Sequence, residues 1–260
     1  MKKSINTESK LIPIIFQVGL ILIWQVLVDV GSIPKYILPS PKDIIIALFS
    51  ILPEIKIPLY TTLEEAAIGF GIAVAVSIVI AVLMDNYKIV RKSLYPILVV
   101  SQTIPVIALA PLFMIWFGFG IYPKVITVIL VCFFPVAVSL LDGLDSVDRD
   151  MINLLKSMGA SKYQIFRYVK FPGALASFFS GLRIAATYSV MGAIIGEWLG
   201  GENGLGVYMI RVKHSFALDK MFAVILIIIL LSMALFGLLY IVQHIATPWD
   251  RKDKFKGEQE

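Results

Sequence analysis

Residues 157–175 read SMGASKYQIFRYVKFPGAL, and this basic piece stands between two long apolar runs. It carries Lys162, Arg167 and Lys170, a Gly159-Ala160 pair and Pro172. Upstream, Met151, Leu154, Leu155 and Met158 recur at helical spacing on one face. Asp145, Asp148 and Asp150 crowd the start of that segment, where a helix dipole favours anions. Gly159 is placed to stop this helix as a residue of positive φ. Ser161 and Gln164 then have the spacing of a capping box, which starts a second helix at once. Its apolar face is Ile165, Phe166 and Val169, and Pro172 is expected to end it. Segment 142–176 therefore predicts two short helices about a tight elbow at Gly159-Ala160. Packing on a membrane surface explains an amphipathic segment but not so sharp a joint. A knuckle presented to a partner protein explains both.

Working outward, the chain of 260 residues is 58% hydrophobic and only 16% charged, with a mean hydropathy of +0.87. A soluble domain carries about 25% charged residues. The composition implies an all-α, polytopic membrane protein. Six runs are long enough to cross a bilayer as helix: Leu11–Val30, Ala66–Met84, Leu94–Phe117, Ile121–Leu141, Phe178–Trp198 and Met221–Ile245. The first follows Lys2, Lys3 and Lys10, exceeds a signal-peptide core in length and lacks a small-x-small cleavage site, so it reads as a retained helix. The implied organisation is a first transmembrane helix over 1–31, an extracytoplasmic proline-rich loop over 32–58, a main membrane domain over 59–245 and a tail over 246–260.

Charge placement orients this arrangement. With the N-terminus inside, Lys2, Lys3, Lys10, the Lys88–Lys92 cluster, the five cations of 142–176 and the four of the tail lie inside. Outside lie Lys35, Lys42, Lys56, Lys124, Arg211, Lys213 and Lys220. The excess places both termini in the cytoplasm. The formal charge of +5 then answers to topology and anionic lipid, and no nucleic-acid partner is needed.

Small residues recur at helical spacing in the second run (Gly69, Ala73, Ser77, Ala81) and in the fifth (Gly181, Ala185, Ser189, Ala193). Such faces let helices approach closely, either within one chain or between subunits. The third run holds Pro96, Pro105 and Pro111 with Gln102 between them. It is either a kinked packing helix or an interrupted helix along a transport path, with Gln102 and Pro105 as path candidates. Arg183 lies inside the fifth run and either snorkels, forms a structural pair or faces the path. Glu197 stands at the outer end of that run, beside Trp198. It faces a vestibule or marks the membrane boundary.

Several chemistries lack their residues. There is no G-x-x-x-x-G-K-[ST], so the chain has no ATP cradle of its own. GGENGLG at 200–206 lacks the dinucleotide-binding spacing. Asp142-Gly143 is not followed by the rest of a lipid phosphotransferase signature. Cys132 has no partner cysteine, and His214 and His244 are far apart in sequence, so no metal site is read. A membrane enzyme would need a catalytic constellation, and a secondary transporter a coupling-ion site and repeat halves.

At the elbow the sequence resembles the permease subunits of bacterial ATP-binding-cassette importers. Their hallmark is E-A-A-x-x-x-G with a proline about thirteen residues after the glycine. Gly159 and Pro172 have that spacing, while Asn153-Leu154-Leu155 stands where Glu-Ala-Ala is usual. The resemblance runs from about residue 59 to 245. SQTIPVIALAPLFMIWFGFG (101–120) and FFSGLRIAATYSVMGAIIGEWLGG (178–201) look like the nitrate, sulfonate and taurine branch. The second of these looks closer to permeases for pyrimidine precursors of thiamine. The resemblance implies two permease copies, two ABC ATPase subunits that hold the ATP and Mg, and an extracytoplasmic solute-binding protein. It implies no cofactor and no catalytic residue in this chain. It further implies that the elbow docks on the ATPase through Asn153, Leu154, Leu155, Met158, Gly159, Ala160, Ser161, Gln164, Phe166 and Pro172.

Overall fold

The computed structural model describes residues 7–31 and 33–248. Lys2, Lys3 and the tail cations from Arg251 onward lie outside them. Among the described residues every regular element is helical. The helices are α1 (Thr7–Asp29), α2 (Pro41–Ile51), α3 (Lys56–Asn86), α4 (Lys88–Thr103), α5 (Val106–Phe117) and α6 (Tyr122–Asp145). They continue as α7 (Arg149–Ser157), α8 (Lys162–Ile165), α9 (Phe171–Gly200), α10 (Leu205–His214) and α11 (Leu218–Ala246), with a π turn over Phe166–Lys170 joining α8 to α9. Among the described residues five segments are long and apolar enough to cross a membrane, Ile12–Asp29, α3, α6, the α8–α9 segment and α11, and the bent pair α4–α5 makes a sixth if it is one span.

The third expected span is not one helix. α4 and α5 meet at a bend of 101°. Ile104 and Pro105 both adopt extended backbone there. The proline ring disfavours helical geometry at the residue before it, and proline gives the following turn no N–H. At ~1.5 Å per residue α4 is about 24 Å long and α5 about 18 Å, each short of the roughly 30 Å hydrocarbon core. Pro96 and Pro111 stay within their helices. Of the three prolines, only Pro105 breaks the run.

The expected loop 32–58 is also more ordered than its prolines suggested. Ser40 caps α2, its Oγ accepting from the Asp43 N–H at 3.2 Å, and Pro41 opens the first turn. The helix buries Ile44, Ala47 and Ile51 against Leu205, Tyr208 and Met209 of α10 and Ala223 and Val224 of α11.

The main core is the α3–α6–α9 layer. The two small-residue stripes face into it, which resolves their role as packing within the chain. Ala73, Ser77 and Ala81 on α3, and Ala185, Ser189 and Ala193 on α9, are buried. A Cβ on Gly181 would lie 2.6 Å from the Pro135 carbonyl oxygen of α6, and one on Gly192 would lie 2.8 Å from Val131 Cγ2. Without a hydrophobic drive between helices in lipid, such backbone approach supplies dispersion contact that larger side chains would block.

Candidate translocation path and coupling elbow

The elbow forms as its sequence predicts. Asp148 caps α7, its Oδ1 accepting from the Asp150 N–H at 2.8 Å. At the other end Gly159 has φ +83°. Its N–H donates to the Lys156 carbonyl and the Ala160 N–H to the Leu155 carbonyl, both at 3.0 Å. These two bonds form a Schellman stop. No atom lies within 4 Å of where a Gly159 Cβ would be, so the backbone angle, not space, calls for glycine. The next helix opens on the expected capping box. Ser161 N–H donates to Gln164 Oε1 at 2.7 Å, and Gln164 N–H donates to Ser161 Oγ at 3.3 Å.

Beyond this point the structure departs from the expectation. Pro172 does not end the second helix. The chain widens into the π turn, where the Phe171 N–H reaches back to the Phe166 carbonyl, and α9 follows without a break. Pro172 sits in the first turn of α9, where a missing N–H is tolerated. Phe166 and Phe171 pack ring to ring at 6.0 Å. Lys170 Nζ pairs with Asp85 Oδ1 at 2.6 Å, fastening this joint to α3. Helix α7 itself projects: none of its residues is buried. Met151, Leu154 and Met158 are exposed by 55%, 62% and 74%. Leu155 and Ala160 are half-buried, and Asn153, Ser161 and Gln164 are exposed.

A second feature lies at the Pro105 break. There a cavity of about 310 Å³ opens among α4, α5, α6 and α9, with polar groups from Ser101, Gln102 and Tyr188 among the apolar side chains of Ile104, Val106, Leu109, Leu130, Val131 and Met191. Gln102 is thus in the cavity, and Pro105 lies at the bend beside it, between the lining residues Ile104 and Val106. Tyr188 was not singled out in the sequence; a lone phenol among small residues was its only signal.

Arg183 and Glu197 are elsewhere. The Arg183 guanidinium bonds Gln243 Oε1 of α11 and Ser180 Oγ, and stands 5.7 Å from the Phe236 ring centre. It knits α9 to α11, as a structural pair. Glu197 is buried, near the end of α9, so its carboxylate is turned into the chain and not toward an open vestibule. Its Oε1 accepts from Thr62 Oγ1 and its Oε2 from the Gly206 N–H, both at 2.5 Å. Thr62 Oγ1 in turn accepts from the Leu205 N–H at 2.9 Å. GGENGLG therefore wraps a carboxylate of its own chain: Gly204 turns with φ +130° and directs the start of α10 onto Glu197. Beside it Lys124 pairs with Glu65 at 3.1 Å, both buried. In the sequence Lys124 reads as a charge of an outside loop, between two apolar runs. Glu65 was missed because the second span was begun one residue later, at Ala66.

Residues 67–246 match the family described as the binding-protein-dependent transport system inner membrane component. The chain belongs to this family. It is an ABC importer permease subunit of the inner membrane, served by a separate ATPase and a binding protein, and is not an enzyme. The permease is 39% identical over 241 residues to the formylaminopyrimidine transport permease protein ThiX of Halalkalibacterium halodurans, covering 92% of this chain and 96% of that one. It is 30% identical over 237 residues to the taurine transport system permease protein TauC of Escherichia coli, covering 88% and 86%. The inward-facing MetNI methionine ABC transporter shares the fold at a TM-score of 0.59, with 20% identity over 72% of this chain and 92% of that one.

Proposed function

We propose that the permease carries a neutral pyrimidine precursor of thiamine, of the hydroxymethylpyrimidine type. The observation that carries this reading is the uncharged lining of the cavity at the Pro105 break. No lysine or arginine lines it. A sulfonate, taurine or nitrate ion moving through such a cavity would lose hydration without gaining a cation, which costs several kcal/mol. The cations on the two long helices that line it, Arg183 on α9 and Lys124 on α6, are committed elsewhere, to Gln243 and to Glu65. A heteroaromatic amine suits the site: the Gln102 amide offers donor and acceptor, and Tyr188 offers a ring face. Resemblance to a relative named for formylaminopyrimidine points the same way.

Two copies of the permease form the path, with Gln102 and Pro105 of each copy at its wall, together with two ATPase subunits. Both termini and segment 142–176 lie in the cytoplasm, and the binding protein delivers solute on the other side. ATP and Mg are held by the ATPases. The exposed apolar face of α7, with Leu154, Leu155 and Met158 and with Asn153 at its edge, seats in the ATPase. Gly159, Ala160, Ser161, Gln164, Phe166 and Pro172 set the direction in which α8 and α9 leave that contact. Closure of the ATPases on ATP then moves the elbows together and biases the helices toward the outward-facing state.

The test is uptake into vesicles holding permease, ATPase and ATP, with binding protein added outside. Labelled hydroxymethylpyrimidine should accumulate and unlabelled formylaminopyrimidine should compete. Competition by taurine but not by pyrimidines would refute the solute reading. Uptake that persists without the ATPase, driven by an ion gradient, would refute the coupling.

A further inference from the structure

The concave side of the elbow has a different character from its exposed apolar side. A cleft of about 510 Å³ lies between the α3–α4 corner and the α7–α8 joint. Helix α7 turns Arg149, Ile152, Asn153 and Lys156 toward it, at the i, i+3, i+4, i+7 spacing of a single face. Lys88 closes one side, and Lys162 and Lys170 close the other. The one carboxylate in the lining, Asp85, is paired with Lys170 through Oδ1 at 2.6 Å. Lys88, Arg149, Lys156 and Lys162 have no ion-pair partner among the described residues. Four like charges around one cleft repel unless an anion joins them.

The position of the cleft says which anion. It begins where the long apolar helix α3 ends at Asn86, and it lies beside the first turns of α4 and α9. A helix as apolar as α3 leaves the hydrocarbon where its polar end begins, which puts Asp85, Asn86 and Lys88 next to the phosphates of a bilayer. Exposed side chains next to it, Tyr87 at the start of α4 and Tyr168 in the π turn, are of the kind that sits at a membrane interface. Its volume suits a glycerophosphate headgroup, whereas inorganic phosphate would fill little of it.

We infer that this cleft holds the headgroup of an anionic phospholipid, with phosphate oxygens on Lys88, Arg149, Lys156 and Lys162. The lipid forms the rear support of α7, which has no buried residue of its own to fix it. Bilayer composition thereby sets how firmly the elbow is held, whichever solute is carried.

The permease–ATPase complex in phosphatidylcholine nanodiscs provides the test, with spin-labelled phosphatidylglycerol or spin-labelled phosphatidylcholine as the probe. The complex should immobilise the anionic probe preferentially. Lys88→Gln with Arg149→Gln, and independently Lys156→Gln with Lys162→Gln, should each reduce that preference, by about five-fold per charge removed. Lys92→Gln, in the same basic corner but outside the cleft, should leave it unchanged. Equal immobilisation of both probes by the unaltered complex would overturn the inference. So would an equal loss in Lys92→Gln, which would indicate only diffuse surface charge. Displacement of phosphatidylglycerol by millimolar inorganic phosphate would assign the cleft to a soluble anion instead. A preference that emerges only when the ATPase is omitted would assign it to that protein.

Discussion

Replacing Gly159 with valine isolates the elbow from the rest of the permease. The residue sits at φ +83° with empty space around its missing Cβ, so the whole cost is backbone. Holding an L-residue there costs roughly 1–2 kcal/mol, with β-branching at the upper end. The alternative is to abandon the positive φ. That gives up the two Schellman bonds, from Gly159 to Lys156 and from Ala160 to Leu155, at about 1 kcal/mol each. Either route costs about 2 kcal/mol, a shift of about thirty-fold toward an opened elbow. The spans should not notice, because α7 buries nothing in the core. Gly159→Val should therefore purify with unchanged thermal stability, while ATPase recovery in a pull-down and ATP-driven uptake both fall steeply. Gly159→Asn, which tolerates positive φ, should retain much of both. If valine leaves pull-down and uptake as in the unaltered protein, the coupling role of the elbow is wrong.

Gln102→Leu preserves the bulk of the cavity lining and removes its amide. It should raise the KM for hydroxymethylpyrimidine about ten-fold or more in the vesicle assay, in line with an unpaired polar contact, while ATPase binding stays unchanged. Glu65→Met or Lys124→Met alone strands a buried charge and should destabilise by about 3–5 kcal/mol. The double substitution should recover most of that, seen as a partial return of the melting temperature. Burial, followed by the Glu54 carboxylate 2.9 Å away, pushes the Tyr208 phenol up to about 12. Because the folded value is the raised one, the stabilisation is complete below about pH 10 and is lost as pH rises through 12. Alkaline melting curves should thus be steeper for the unaltered protein than for Tyr208→Phe.

Local rules made the elbow legible. A glycine stop and a Ser–Gln capping box are satisfied within a few residues, so spacing alone carries them. The small-residue stripes were legible as close-packing faces, but which face met which helix was not, since Gly181 against Pro135 is a contact across 46 positions. Pro172 misled because a proline that ends one helix and a proline that opens another read alike. The π turn that decides between them has no spacing of its own. The buried Glu65–Lys124 pair stayed hidden because each charge sits at the edge of an apolar run, where solvent and partner look equally available. Arg183 invited the opposite error, a cation at depth read as a path candidate until Gln243, 60 residues on, supplied its partner.

The continuity of α8, the π turn and α9 has a mechanical consequence. Lys162–Gly200 forms a single 39-residue segment, about 58 Å from end to end. One tip carries the joint that follows Gly159. The other holds Glu197, clasped by Thr62 and Gly206. A tilt of roughly ten degrees about its middle would sweep each tip through about 5 Å, in opposite directions. Force applied at the elbow therefore needs no relay of loops to reach the far side of the membrane. It would arrive as rotation of one beam, with the glycine as its pin and the π turn as the one departure from α-helical geometry along it.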